Sequence, residues 1–68
     1  MGILRAFTRG RTLTERYLER GLYYLDTGEY EDAIADLSEA IAQEPYNAEL
    51  YATRGFIYLE SDNEEYLK

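Results

Sequence analysis

The sequence predicts an all-α fold, an antiparallel helix-turn-helix solenoid of about one and a half to two repeats. One stretch recurs 34 residues later: Tyr17-x-x-Arg20-Gly21-x-x-Tyr24-Leu25 is followed by Tyr51-x-x-Arg54-Gly55-x-x-Tyr58-Leu59. The apolar residues between the two copies recur at helical spacing, and Gly28 and Pro45 separate the helical stretches. A fixed period of this size is typical of helical solenoids, because each unit stacks on a copy to bury its apolar face.

Composition excludes several classes of site. The 68 residues include no cysteine and no histidine, so disulfides, thiolate or imidazole metal ligands and histidine-activated nucleophiles are ruled out. No glycine-rich phosphate loop is present, and we therefore expect neither a cofactor nor an enzymatic activity.

Charge and hydropathy narrow the choice of partners. The net charge is −7, and residues 14–68 carry four basic and fourteen acidic side chains, a balance of −10. An acidic body argues against nucleic acid or an anionic membrane as the ligand, since both require a positive surface. No apolar run approaches the ~20 residues of a membrane span, and we expect a cytoplasmic protein.

Residues 1–13 are expected to be a partial helix of a preceding repeat or an N-terminal cap. The helix itself is predicted over residues 1–9 and is expected to end at Gly10. Its apolar positions are Ile3, Leu4, Ala6 and Phe7. Its arginines Arg5, Arg9 and Arg11 are expected to solubilise the chain or to pair with acidic groups.

The next helix is predicted from about Leu13 to Asp26. Thr12 and Glu15 have the spacing of a capping box at its start, in which each side chain satisfies a backbone N–H. Thr27 and Gly28 are expected to end it.

A second helix follows, with acidic residues in its first turn where they suit the helix dipole. Its predicted buried face consists of Ala33, Ile34, Leu37, Ala40 and Ile41, and its predicted solvent face of Asp36, Glu39 and Gln43. Pro45 excludes helix through Glu44.

Asn47 is expected to cap a third helix that runs to about Glu60. The Ser61-Asp62-Asn63 segment is predicted to form a turn, and Glu64–Lys68 to open a fourth helix. Because so short a fourth helix could not cover the third, some apolar residues of the third helix are expected to be partly exposed. The chain could then self-associate through residues 47–68. These apolar residues are Leu50, Tyr51, Tyr58 and Leu59.

The chain resembles the tetratricopeptide repeat (TPR) family. Seven positions fall at that family's spacings: Tyr17, Gly21, Tyr24, Ala33, Leu37, Ala40 and Pro45. The resemblance makes residues 14–47 a complete repeat and residues 48–68 the first helix and the start of the second helix of a following repeat. The fold is then a solenoid of tetratricopeptide type, in which Gly21 and Gly55 allow close helix packing.

The resemblance also implies a function, the binding of another polypeptide in a concave groove lined by the first helix of each repeat. The groove positions would be Glu15, Leu18, Leu22, Leu25 and Asp26, followed by Glu49, Ala52, Phe56, Leu59 and Glu60. They form an apolar floor with an acidic rim, suited to an amphipathic helix or a short peptide with basic flanks. The basic residues with which some members grip a C-terminal carboxylate are absent from these positions.

Two alternatives stay open. The apolar groove residues could be core, covered by a neighbouring repeat or a second copy. The chain would then be a structural or assembly subunit whose repeat faces are occupied by fixed contacts in a larger complex or homo-oligomer.

We expect Arg20 and Arg54 to have structural roles, stacked on a tyrosine or paired with an acid of the next helix.

Overall fold

The computed structural model describes residues 12–67, and their side chains as far as residue 63. It contains three α-helices and, over these residues, no strand: α1 (Leu13–Thr27), α2 (Tyr30–Gln43) and α3 (Ala48–Leu67). The helix expected over residues 1–9 and the three arginines beside it lie outside the described residues.

The ends of α1 confirm the predicted signals. The Thr12 hydroxyl accepts a hydrogen bond from the Glu15 N–H (3.1 Å), and the Thr12 N–H donates to the Glu15 carboxylate (2.9 Å). At the other end Gly28 adopts the left-handed conformation with φ of 83°, which glycine tolerates at little cost. Its N–H donates to the Leu25 carbonyl, and the chain turns directly into α2.

The junction between α2 and α3 also follows the prediction. Helix α2 ends at Gln43, two residues before Pro45. The Asn47 side chain accepts a hydrogen bond from the Glu49 N–H (3.0 Å) and so caps α3.

Helix α2 lies at the centre of the fold and provides most of the core. The buried apolar residues are Ala33, Leu37, Ala40 and Ile41 of α2 with Leu50 and Ile57 of α3. Partly buried side chains of α1 pack against this cluster from the other side. Short connections over residues 28–29 and 44–47 join α2 to neighbours that pack against it, so α2 is antiparallel to both.

Two predictions for the third helix are wrong. Leu50 is only 2% exposed, because it lies on the side of α3 that faces α2. The Ser61-Asp62-Asn63 segment forms no turn and no fourth helix begins at Glu64, since α3 continues without a break to Leu67. These three residues have only modest helix propensity, but none is glycine or proline, and continuing a helix is easier than nucleating a new one of about one turn.

Candidate functional site

Exposed apolar side chains recur on α1 and α3 at matching positions of the repeat. Leu22 is 43% exposed and its counterpart Phe56, 34 residues later, is 51% exposed. Leu59, one turn further along α3, is 62% exposed. We call Leu22, Phe56 and Leu59 the apolar strip; all three are among the predicted groove residues.

The other apolar groove residues differ between the two helices. Leu18 and Leu25 of α1 are partly buried and pack against the core. Their counterparts in α3, Ala52 and Leu59, are exposed. The α3 half of the predicted groove is therefore more open to a ligand than the α1 half.

The acidic rim consists of two repeat-related pairs. Glu15, Glu49 and Asp26 are exposed, and Glu60 is half-buried. The Glu15 carboxylate is engaged in the capping box at the start of α1. A ligand that approached Glu15 would meet a carboxylate already held in place by the Thr12 N–H.

Arg20 of α1 and Asp36 of α2 form an ion pair between the two helices. The guanidinium donates from Nε (2.8 Å) and Nη2 (2.9 Å) to the two carboxylate oxygens. Asp36 is 5% exposed, so its predicted place on the solvent face of α2 is wrong. The reason is that Arg20 supplies the charge partner without which a buried carboxylate is disfavoured.

Both arginines of the repeated motif stack on the tyrosine three residues earlier. The Arg20 Cζ lies 5.9 Å from the centroid of the Tyr17 ring, and the Arg54 Cζ lies 5.7 Å from that of Tyr51. The hydrogen bond to Asp36, and then its charge, raise the pKa of Arg20 above its usual range. The structural role predicted for these arginines is confirmed for both, with tyrosine stacking in each repeat and an acid pair at Arg20.

The two glycines of the motif differ. A Cβ at Gly21 would overlap the Leu37 side chain and lie 3.4 Å from the Ala33 carbonyl oxygen. A Cβ at Gly55 would meet nothing within 4 Å. Close packing is confirmed at Gly21 and wrong at Gly55, because none of the described helices packs on that side of α3.

Sequence reasoning did not identify the α2 partners of the arginines. Asp36 binds Arg20, and Ser38 accepts a hydrogen bond from Arg54 Nη1 (3.0 Å). Each partner is 16 residues from its arginine across a tight helical hairpin. That separation, combined with antiparallel pairing, is the signal that could have found both.

Two other kinds of feature are absent from the part of the chain that the structure describes. No group of three or more acidic side chains in residues 12–63 is arranged to hold a metal ion. Of the three helices, none combines the length and apolar character that crossing a bilayer requires.

Comparison with known proteins agrees with the repeat geometry. A family model described as TPR repeat matches residues 21–62, which is more than half of the chain. No curated protein and no solved structure matches it. TPR domains generally mediate protein–protein interactions and are generally not enzymes. The matched segment contains the Gly28 turn, all of α2 and most of α3, and the chain belongs to the TPR repeat family.

Proposed function

We propose that this chain binds another polypeptide, a peptide or amphipathic helix with basic flanks, through the apolar strip and its acidic rim. The observation that carries the proposal is the exposure of Leu22 and Phe56 at the same position in successive repeats. Apolar side chains exposed together and bordered by charged groups are typical of interaction sites.

The chemistry of the rim selects the ligand. Asp26 is four residues after Leu22, and Glu15 and Glu49 are seven residues before Leu22 and Phe56, so in helical register these acids share the face of the strip. Neither Leu22 nor Phe56 has a basic residue beside it among the predicted groove positions. A ligand with Lys or Arg flanking apolar anchors would gain charge complementarity, chiefly in its rate of association.

The proposal can be tested with a random peptide library selected against the immobilised chain. We expect the parent chain to enrich peptides with apolar residues flanked by Lys or Arg. Leu22→Gln and Phe56→Asn should each keep the helical circular dichroism signal and lose this enrichment. Tyr46→Gln is the matched control, because Tyr46 lies in the α2–α3 loop and is 98% exposed.

If both strip variants unfold, Leu22 and Phe56 are core residues and the proposal is wrong. If Tyr46→Gln loses the enrichment as well, the selection reports general stickiness of exposed aromatic residues. Enrichment of acidic peptides would contradict the assigned role of the rim.

A second candidate function is that of an assembly subunit, favoured by the exposure of Tyr51, Tyr58 and Leu59 on α3. In that case a second copy would cover residues 47–68. Light scattering of the parent chain separates the two functions, because an assembly subunit gives a stable oligomer whose mass persists on dilution.

A further inference from the structure

None of the described helices packs on one face of α3, although the same face of α1 lies against α2. We call this face of α3 the Gly55 face, made of Ala48, Tyr51, Gly55 and Tyr58. All four residues are exposed, with Tyr51 at 44% and Tyr58 at 51%. The counterparts in α1 lie against α2: Thr14 and Gly21 are buried, and Tyr17 and Tyr24 are partly buried.

The occupied face on α1 shows what such a surface binds. A Cβ placed at Gly21 would lie closest to atoms of Leu37, Ala33 and Asp36 of α2. These three residues form the pattern Ala-x-x-Asp-Leu on one side of a helix. The small residue and the glycine allow close approach, the leucine fills the space above the glycine, and the acid reaches the arginine.

Arg54 presents the corresponding cationic group beside the Gly55 face. Arg20 uses Nε and Nη2 to bind the Asp36 carboxylate. Arg54 donates from Nη1 to Ser38, and over residues 12–63 no group accepts from its Nε or Nη2. The Nε and Nη2 groups that bind a carboxylate at Arg20 are thus free to bind one at Arg54.

We propose that the Gly55 face binds, in trans, an amphipathic helix of another polypeptide that carries a small residue, an acid and a leucine in the Ala-x-x-Asp-Leu pattern. The leucine lies over Gly55 between Tyr51 and Tyr58, and the acid pairs with Nε and Nη2 of Arg54. The Gly55 face lies beside the apolar strip but requires an acidic partner, whereas the strip is proposed to bind a basic one. The two proposals are independent, so either can be wrong without affecting the other.

A second intact copy does not fit this requirement. The chain's own Ala-x-x-Asp-Leu segment is in α2, where Ala33 and Leu37 are fully buried and Asp36 is 5% exposed. Its binding side already lies against α1 of the same molecule. A second copy could offer it only by separating α1 from α2, whereas a different polypeptide can offer the pattern on a free helix.

The test uses a fluorescently labelled peptide of residues 29–44 as the probe, added to the whole chain and followed by anisotropy. We expect saturable binding that weakens roughly tenfold or more when the peptide carries Asp36→Lys or the chain carries Arg54→Gln, since each removes a charge-assisted pair. A chain with Arg54→Asp should regain affinity for a peptide with Asp36→Arg.

Gly55→Leu is the decisive variant. The added side chain occupies the docking position of the proposed leucine. The variant should fold like the parent, because a Cβ at this position meets nothing within 4 Å. The variant should melt no lower than the parent and lose peptide binding. Tyr46→Gln is the matched control: Tyr46 lies in the α2–α3 loop and belongs to neither the apolar strip nor the Gly55 face, so this variant should bind the peptide like the parent.

Three results would overturn the proposal. The first is the absence of peptide binding to the parent chain. The second is binding that Gly55→Leu leaves unchanged, which would mean that the peptide displaces α2 from α1. The third is a dimer of the chain that Gly55→Leu dissociates, which would assign the face to a second copy.

Discussion

Arg20 of α1 and Asp36 of α2 are joined by two hydrogen bonds, and one partner is exposed to solvent while the other is buried. The carboxylate side chain is 7% exposed, whereas the arginine side chain is 58% exposed. The buried partner depends on the open one, because a carboxylate that loses its cation inside a protein is strongly disfavoured, while an arginine that loses its acid can be hydrated. The pair therefore holds α1 against α2 chiefly by satisfying Asp36.

Replacing Arg20 should destabilise the fold more than replacing its repeat counterpart. Arg20→Leu leaves the Asp36 carboxylate without its cation, whereas Arg54→Leu removes one hydrogen bond to the Ser38 hydroxyl. We expect Arg20→Leu to have the lower Tm in thermal denaturation followed by circular dichroism. The double variant Arg20→Leu with Asp36→Ala should recover part of the loss. Equal Tm values for the two single variants would contradict this account.

The same substitution at the two glycines should have opposite effects on the free energy of unfolding. Gly21→Leu overpacks against Leu37 and the Ala33 carbonyl, and we expect a loss of about 1–3 kcal/mol. Gly55→Leu meets open space and removes a glycine from a helix interior, a gain of up to ~1 kcal/mol. Urea denaturation of both variants measures the difference. A Gly21→Leu chain as stable as the parent would show that α1 and α2 do not pair as described.

Alanine at Asn63 should stabilise α3. Asn63 lies inside the continuous helix, where alanine has the higher propensity by roughly 0.5 kcal/mol. We expect a stronger helical circular dichroism signal and a slightly higher Tm for Asn63→Ala. In a turn, where asparagine is favoured, the substitution would lower both.

Substitutions at Glu15 should separate its capping role from its role in the acidic rim. Glu15→Gln retains an oxygen that can accept from the Thr12 N–H, so stability should change little, while Glu15→Ala loses half of the capping box and should cost about 1 kcal/mol. If the rim selects basic ligands, Glu15→Gln should weaken peptide capture and make it less sensitive to salt. Glu49→Gln is the control for a rim carboxylate outside the capping box. Unchanged capture by both Gln variants would remove the rim from the binding site.

Local sequence signals predicted both ends of α1, the end of α2 and the start of α3, but not the end of α3. Thr12 with Glu15, Gly28, Pro45 and Asn47 all act within a few residues of the chain, and their roles depend little on distant contacts. The register of the repeat likewise identified which side of α1 packs on α2, including the close approach at Gly21.

The repeat could not show which faces have a neighbour. Gly21 and Gly55 occupy the same register, yet among the described helices one packs against Gly21 and none against Gly55. The charge of Asp36 predicted an exposed position on α2. Its burial could not be predicted locally, because it depends on an arginine 16 residues away. For the candidate site, register located Leu22 and Phe56, but the partial burial of Leu18 and Leu25 depends on how α1 packs on the core.

The central position of α2 also has a kinetic consequence. Its partners in both neighbouring helices lie about 16 residues away in sequence, so each interface closes only a short loop of chain. Folds built from such local contacts have low contact order and fold in microseconds to milliseconds. Either helical hairpin, α1–α2 or α2–α3, can form first and serve as the template on which the third helix docks. Substitutions in α2 should therefore slow folding, whereas substitutions on the outer faces of α1 and α3 should act mainly on the rate of unfolding.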